Sequence, residues 1–190
     1  MKISLLSLLL RPAAGVLTAS GFVPYFNYNG NLAVGGVVGP MTTTGTTQTF
    51  YFSLTGVDPA CASGPGSAAN SCGVHIHSGT TCTEDAGGHY YTGTVTADPW
   101  TAITYTSTAA NTAAGSLTVA TGATEAEATG RAFIVHAADG SRIACALLGT
   151  GDSNLEASGF VPYFDYTGER RKIEGCRNVS CTLPMSPAHR

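Results

Sequence analysis

Short runs of β-branched and aromatic residues, separated by glycine-rich breaks, are the feature of this sequence that most constrains its fold. Such residues favour extended strands, and the helix formers Lys, Glu, Gln and Arg are scarce in the chain. Eight runs have this character: 21–28, 32–38, 47–54, 73–77, 102–106, 116–119, 132–136 and 142–148. Strands of this length with turns between them are typical of a sandwich or barrel, so the sequence predicts an all-β domain.

Charged residues make up 11% of the chain, and their distribution excludes two classes of partner. Between residues 19 and 168 the only cations are Arg131 and Arg142, against ten acidic residues. A surface this acidic should not bind nucleic acid or an anionic membrane. The presence of each arginine in this acidic region therefore calls for an explanation. Arg131 follows Gly130 at the start of a predicted strand, and we interpret it as structural.

The first 18 residues resemble a secretory signal peptide. Lys2 precedes a leucine-rich run that is too short to cross a bilayer, and small residues follow, although Arg11 and Pro12 interrupt the pattern. Six cysteines in a chain of 190 residues also fit an oxidising compartment. We therefore expect a secreted, extracellular protein.

One internal repeat sets the expected domain boundaries. The sequence ASGFVPYFNYNG from Ala19 returns as ASGFVPYFDYTG from Ala157, 138 residues later and with two differences. We expect one domain over residues 19–156, the start of a second repeat over 157–168, and a disordered tail over 169–190. This arrangement predicts self-association through tandem repeats or through strand exchange between chains.

Three of the five histidines lie close together, within the stretch GVHIHSGTTCTEDAGGHYY at residues 73–91. Residues i and i+2 of a strand point to the same face, so His75 and His77 project side by side. His89 can return from the following loop, and His136 ends another predicted strand. Imidazole suits copper and zinc, so the pattern predicts a transition-metal site. The alternative is four ordinary strand and loop histidines.

Two segments, GVHIHSGTTCTEDAGGHYY and GRAFIVHAADGSRIACALLG, resemble the signature regions of copper/zinc superoxide dismutases. The resemblance covers most of residues 21–149 in the order of elements. It implies an all-β Greek-key β-barrel or sandwich. It also implies four copper ligands, namely His75, His77, His89 and His136.

The resemblance extends to the cysteines. Cys82 and Cys145 match the intrasubunit disulfide of the family. Two other cysteines, Cys61 and Cys72, bracket a loop rich in Gly, Pro and Ser, and we expect a second bridge between them. Two free buried thiols are the alternative for that second pair.

Arg142 matches the arginine that guides superoxide to copper in the family. Its guanidinium is charged at any physiological pH, and in an acidic domain it could turn local repulsion of an anion into attraction. The alternative for Arg142 is a surface ion pair with Asp139 or Asp152, which would contribute little.

The chain departs from the family where zinc binds. No histidine lies between His89 and His136, and His89 with Asp98 cannot supply the four ligands that structural zinc needs. The pattern resembles the copper-only superoxide dismutase repeat proteins, which are secreted tandem arrays. It implies one copper per domain and no zinc.

Without zinc, a carboxylate is expected to hold the His89 ring, because it accepts the ring N–H and fixes its orientation. Asp98 is the first candidate, since it lies in the loop that replaces the zinc loop. The alternatives, in order, are Glu125 or Glu127, then Glu84 or Asp85. Asp98 could instead serve only to cap a turn before Pro99.

The implied activity is disproportionation of superoxide to dioxygen and hydrogen peroxide by a secreted, copper-only enzyme. Copper suits the reaction because it changes oxidation state by one electron within a histidine site. The rival hypothesis is an extracellular copper-binding structural or matrix repeat without significant catalysis. The presence of Arg142 together with all four histidines favours the enzyme.

Overall fold

The computed structural model describes residues 16–150 of the chain. Residues 1–15 of the expected signal, the expected second repeat at 157–168 and the expected tail at 169–190 lie outside the described residues. The described part is almost wholly β-structure, with one short α-helix and one 3₁₀ turn, and this confirms the predicted all-β class. None of its helices is long and apolar enough to span a bilayer.

Nine strands make up the described domain. In chain order they are β1 (Leu17–Ser20), β2 (Val23–Pro24), β3 (Gly35–Thr44), β4 (Thr47–Thr55), β5 (Val74–Ile76), β6 (Thr112–Ala120), β7 (Ala132–His136), β8 (Arg142–Leu147) and β9 (Gly149–Thr150). The 3₁₀ turn covers Pro59–Ser63, and helix α1 covers Glu125–Ala128.

The strands form two antiparallel sheets. The five-stranded sheet has the order β6-β4-β3-β1-β9, and the four-stranded sheet has the order β2-β8-β7-β5. No ladder joins the two sheets within residues 16–150, so the described domain has the two-sheet arrangement of a sandwich and no closed barrel.

The main core lies between the two sheets. Along β4 alternate side chains are buried, as expected for a strand with one face on a core. Phe50 of β4 packs edge to face on Phe133 of β7, with 5.6 Å between ring centroids. The buried Trp100 comes from a loop and lies 6.5 Å from the Phe50 ring. These contacts join both sheets and the loop before β6 into one apolar cluster.

Strand β7 is buried along its whole length because both of its faces are covered. Phe133 and Val135 face the core between the sheets. Ala132 and Ile134 point the other way and pack in a smaller cluster that includes Tyr25. The outer face of the four-stranded sheet is therefore sheltered as well, and this is where the histidines lie.

Two of the predicted strands form only in small part in the structure. The run 21–28 contributes only β2, because the chain turns at Tyr25, whose carbonyl accepts a hydrogen bond from the Tyr28 N–H. The run 102–106 forms a single bridge, Thr104 to Gly73, since a turn from Trp100 precedes it.

Strand β1 contains two residues, Leu17 and Thr18, that the sequence prediction assigned to the signal peptide. Leu17 is fully buried and pairs with Met41 of β3 and Thr150 of β9. In the structure the folded domain therefore includes Leu17, ahead of the predicted start at Ala19.

Candidate metal centre

The four histidines named from the sequence converge on the outer face of the four-stranded sheet. The residues on either side of His75 in β5 enter the core, so His75 points to the opposite face. His136 ends β7, and His77 and His89 face each other across an isolated β-bridge. Each residue offers one ring nitrogen, and these four atoms lie within 4.8 Å of one another.

Hydrogen bonds to backbone carbonyls fix the tautomers of His77 and His136. The His77 Nδ1 lies 3.0 Å from the Gly87 carbonyl oxygen, and the His136 Nδ1 lies 2.9 Å from that of Gly140. A carbonyl only accepts, so each neutral ring carries its proton on Nδ1. Each Nε2 atom then carries a lone pair and no proton, and the two Nε2 atoms lie 3.3 Å apart. A shared cation would stabilise this arrangement.

The other two rings are also held by hydrogen bonds, His75 by a backbone carbonyl and His89 by a carboxylate. His75 Nε2 lies 2.9 Å from the Ile103 carbonyl oxygen, which places its proton on Nε2. Its Nδ1 is buried and has no hydrogen-bond partner, an uncommon state for a polar atom in a folded protein. His89 Nδ1 lies 2.7 Å from Asp98 Oδ2, which leaves Nε2 of His89 free. Every ring thus keeps one lone pair without a proton.

Burial keeps three of these rings neutral. Removal from water lowers the pKa of His75 to about 2, that of His77 to about 3 and that of His136 to about 4. The charges of neighbouring rings contribute to these lowered pKa values, as does the Arg142 charge for His77 and His136. At neutral pH the lone pairs are therefore available to a metal without loss of a proton.

Asp98 combines the two roles that the sequence left as alternatives. Its Oδ2 contacts His89, and its Oδ1 accepts the Trp100 N–H at 2.9 Å, which closes the turn after Pro99. The Trp100 indole donates to the Tyr90 carbonyl at 2.8 Å. A buried aromatic anchor therefore sets the position of the carboxylate beside the ring.

The other candidate carboxylates have different partners. Glu127 closes a capping box at the start of α1 with Thr124, and Glu125 lies in the first turn of the same helix. Glu84 is exposed. Asp85 forms an ion pair with Arg142. None of them has a recorded hydrogen bond to His89 among the described residues.

Arg142 begins β8 directly opposite His136 in the β7–β8 ladder. Its Nη1 donates to the Tyr25 hydroxyl at 2.6 Å and to Asp85 Oδ1 at 2.7 Å. Its Nη2 donates to the Gly87 carbonyl at 2.6 Å. That carbonyl also accepts from His77 Nδ1, so the guanidinium and one candidate ligand ring share a single oxygen.

The ion pair of Arg142 differs from the one considered from the sequence. Asp139 instead accepts hydrogen bonds from Ser141 and closes a turn. Asp152 lies outside the described residues. Asp85 is the partner because its loop folds back over the start of β8, a contact 57 residues apart in sequence.

The structure contains both expected disulfides, Cys61–Cys72 and Cys82–Cys145. The second bridge attaches the loop that carries His89 to β8, three residues after Arg142. Two disulfides in one small domain are typical of an oxidising compartment. The remaining cysteines, Cys176 and Cys181, lie outside the described residues.

Arg131, interpreted from the sequence as structural, makes local contacts. Its guanidinium lies over the Tyr90 ring, 3.7 Å from the centroid. It also donates to the carbonyl oxygens of Glu127 and Ser78. These contacts connect α1 with the loop that follows β5.

Several groups that build the site were not identified from the sequence. The carbonyls of Gly87, Gly140 and Ile103 orient three rings, and a backbone carbonyl carries no sequence signal. Tyr25 and Asp85 hold Arg142. The one available signal for Tyr25 was its presence in the repeated motif.

No family model matches the chain, and no curated protein matches it.

Proposed function

We propose that the chain is a secreted, copper-only superoxide dismutase with the Greek-key sandwich of the copper/zinc superoxide dismutases. The observation that carries the proposal is the convergence of four imidazole lone pairs, one of them the buried, unpartnered Nδ1 of His75. An orphaned buried lone pair fits a bound cation, and a set of four converging imidazole nitrogens fits copper.

In this proposal His75 holds the metal through Nδ1, and His77, His89 and His136 hold it through Nε2. Copper, when bound, supplies the one-electron oxidation and reduction that convert two superoxide ions and two protons to dioxygen and hydrogen peroxide. Imidazole ligands bind both copper and zinc, so the four histidines alone do not distinguish the two metals. The carboxylate beside His89, where the resemblance places zinc, supports a site for copper alone.

Arg142 attracts and orients the anionic substrate. The described part of the chain carries seven acidic residues and two arginines, so its field repels superoxide in general. Arg142 lies opposite His136 and is half-buried, and a guanidinium in that position provides local positive charge next to the candidate ligands. Asp85 offsets part of this charge, and its own exposure to water weakens that effect.

Asp98 holds the proton of His89 at Nδ1. A carboxylate in contact with this nitrogen accepts the ring N–H and orients the ring. His89 is also the most exposed of the four rings, with a side chain 8% accessible. The proton-bearing pair His89–Asp98 therefore lies on the side of the site nearest to solvent.

The test is metal content and turnover of the full chain. We expect the protein offered equimolar copper and zinc to retain one copper per chain and no zinc. We expect its superoxide turnover per copper to exceed that of loosely held copper. Tightly held zinc would contradict the copper-only assignment.

An extracellular copper-binding matrix repeat is the second candidate, and the repeated motif at 19–30 and 157–168 favours it. Tandem copies suit a scaffold, in which copper would serve storage or strength. The same experiment separates the two. A matrix protein would bind one copper per chain and dismutate superoxide no faster than loosely held copper.

A further inference from the structure

The Tyr25 hydroxyl lies at a junction of three segments. Tyr25 is 3% exposed and follows β2. Its O–H donates to Asp85 Oδ1 at 3.0 Å, and its oxygen accepts from the Ala86 N–H at 3.0 Å and from Arg142 Nη1 at 2.6 Å. A phenolic oxygen has one proton and two lone pairs, so these three bonds use its full capacity.

The same junction reaches the candidate metal ligands. Asp85 accepts from the Gly87 N–H at 3.0 Å, and the Gly87 carbonyl accepts from both Arg142 and His77. The Tyr25 hydroxyl therefore fixes one terminal nitrogen of the guanidinium, and the short loop that it anchors fixes the other. Phe26 packs on the Tyr25 ring at 5.0 Å, which leaves the ring little freedom.

We infer that Tyr25 is a positioning residue for Arg142. Its hydroxyl holds the guanidinium between Asp85 and the Gly87 carbonyl, at a set position relative to His77. Without this bond the guanidinium would still carry its charge, but it could follow Asp85 away from the ligands towards solvent. The inference rests on the proposed function only for what Arg142 does to superoxide; the geometry itself does not require a metal.

The second copy of the motif has to be considered in any test of Tyr25, because it could supply an equivalent tyrosine. It differs from the first at Asn27 and Asn29, both exposed in the structure. It retains a tyrosine, Tyr163, at the position that matches Tyr25. A Tyr25→Phe chain could therefore recover the hydroxyl from its second copy. The decisive variant is Tyr25→Phe/Tyr163→Phe, and its matched control is Tyr163→Phe.

The first measurement uses the copper-free full chain. Nitrogen NMR of the arginine side chains reports rotation of the Arg142 guanidinium about its Cζ–Nε bond, and an Arg142→Lys variant identifies the signal. We expect rotation to be faster in Tyr25→Phe/Tyr163→Phe by on the order of tenfold, the effect of losing one hydrogen bond to a charged group. The Tyr163→Phe control should rotate as the wild type does.

The second measurement is a double-mutant cycle on the copper-loaded chain. We expect kcat/KM for superoxide to fall by on the order of tenfold in the double tyrosine variant at unchanged copper content. In an Arg142→Ala background the same tyrosine changes should have no further effect. A merely structural tyrosine would lower the rate equally in both backgrounds.

The two measurements separate the possible failures. Unchanged guanidinium rotation in the double tyrosine variant overturns the role of Tyr25, whatever the enzyme does. Equal rate losses with and without Arg142 overturn it as well. Faster rotation in a chain whose wild type has no turnover supports the positioning of Arg142 and contradicts the proposed dismutase activity instead.

Discussion

The four rings of the site differ in the charge of the group that holds each of them. Three histidines donate to neutral backbone carbonyls, and His89 alone donates to a carboxylate, that of Asp98. A carbonyl and a carboxylate both accept a ring N–H, but only the carboxylate carries a negative charge. His89 is therefore the one ring of the four whose orientation depends on a charged side chain.

Replacing Asp98 with asparagine tests this difference. Asparagine keeps the size and can still cap the turn at Trp100, so the fold should persist, but the negative charge at His89 is lost. We expect copper affinity or turnover to fall by about 10–100-fold. Copper titration and superoxide turnover measure both. Glu127→Gln removes a carboxylate that caps α1 and should change neither. Unaltered affinity and turnover in the Asp98 variant would return Asp98 to turn capping alone.

Replacing Arg142 with alanine should slow superoxide turnover about tenfold or more, because local attraction of the anion is lost. Copper should remain bound, since arginine is not a ligand. The other arginine of the domain offers a control: Arg131→Ala removes the same charge from a site in contact with Tyr90 and should leave the rate near that of the wild type. An equal rate for wild type and Arg142→Ala would assign Arg142 to its ion pair with Asp85.

The lowered histidine pKa values predict a pH dependence of stability for the copper-free chain. His75, His77 and His136 bind protons below about 6.5 when unfolded but only at about 2 to 4 when folded. The unfolded state therefore takes up more protons as pH falls, and the free energy of unfolding should decrease from pH 6.5 downwards.

Denaturant unfolding across this range measures the effect. Hydrogen bonds from the Gly87 N–H and from Ser141 lower the carboxyl pKa values of Asp85 and Asp139, respectively, from 3.8. These two groups therefore change the free energy of unfolding only at lower pH. A change in the free energy of unfolding above about pH 5 therefore reports protonation of the histidines. A flat free energy of unfolding across that interval would contradict the burial of neutral rings.

At the scale of elements, β5 and β7 put the site on the opposite face from the main core. Alternation sends Phe133 and Val135 inward and leaves His75 and His136 under the loop that carries His89. The Cys82–Cys145 bridge attaches that loop to β8. The site is therefore held between a sheet and a cross-linked loop rather than within the core.

The two disulfides should contribute unequally to stability. Cys82 and Cys145 are 63 residues apart, and Cys61 and Cys72 are 11 apart. On the chain-entropy account, replacing the first pair with alanine should lower the free energy of unfolding by about 4 kcal/mol and replacing the second by about 3 kcal/mol. Denaturant unfolding of the two matched variants gives the order. A larger loss from the shorter loop would show that native contacts, and not chain entropy, dominate.

At the scale of the whole molecule, the repeated motif supplies two segments that could form the same edge strand, and the described domain has room for one. Strand β2 occupies the edge of the four-stranded sheet beside β8, through only two residue pairs. The buried and half-buried residues of the motif recur in the second copy; they are Ala19, Phe22, Tyr25 and Tyr28. Both copies therefore suit the same edge, and only one can occupy it in a single domain.

Deleting residues 157–190 should preserve the folded domain, because the described strands pair with one another within residues 16–150. It should also reduce any dimer detected by light scattering, since the segment available for strand exchange is gone. Deletion of residues 169–190 alone keeps the second copy and is the control. Loss of the folded state in the longer deletion would mean that the second copy normally fills the edge.

The sequence alone determined the features that depend on local periodicity and on residue type. Strand alternation put His75 and His77 on one face, and glycine-rich breaks marked most strand ends. The all-β class and the groups available to a metal follow from the same local rules. The resemblance added the disulfide between Cys82 and Cys145, which the structure contains.

Only the tertiary structure decided which nitrogen of each ring faces the site and which acid faces Arg142. Backbone carbonyls at Ile103, Gly87 and Gly140 set the tautomers, and every residue has such a carbonyl, so no residue type could mark them. Asp85 and not Asp139 reached Arg142 because a cross-linked loop folds over β8. Contacts of this kind join segments far apart in sequence, and their geometry exists only once both sheets and the loop have packed together.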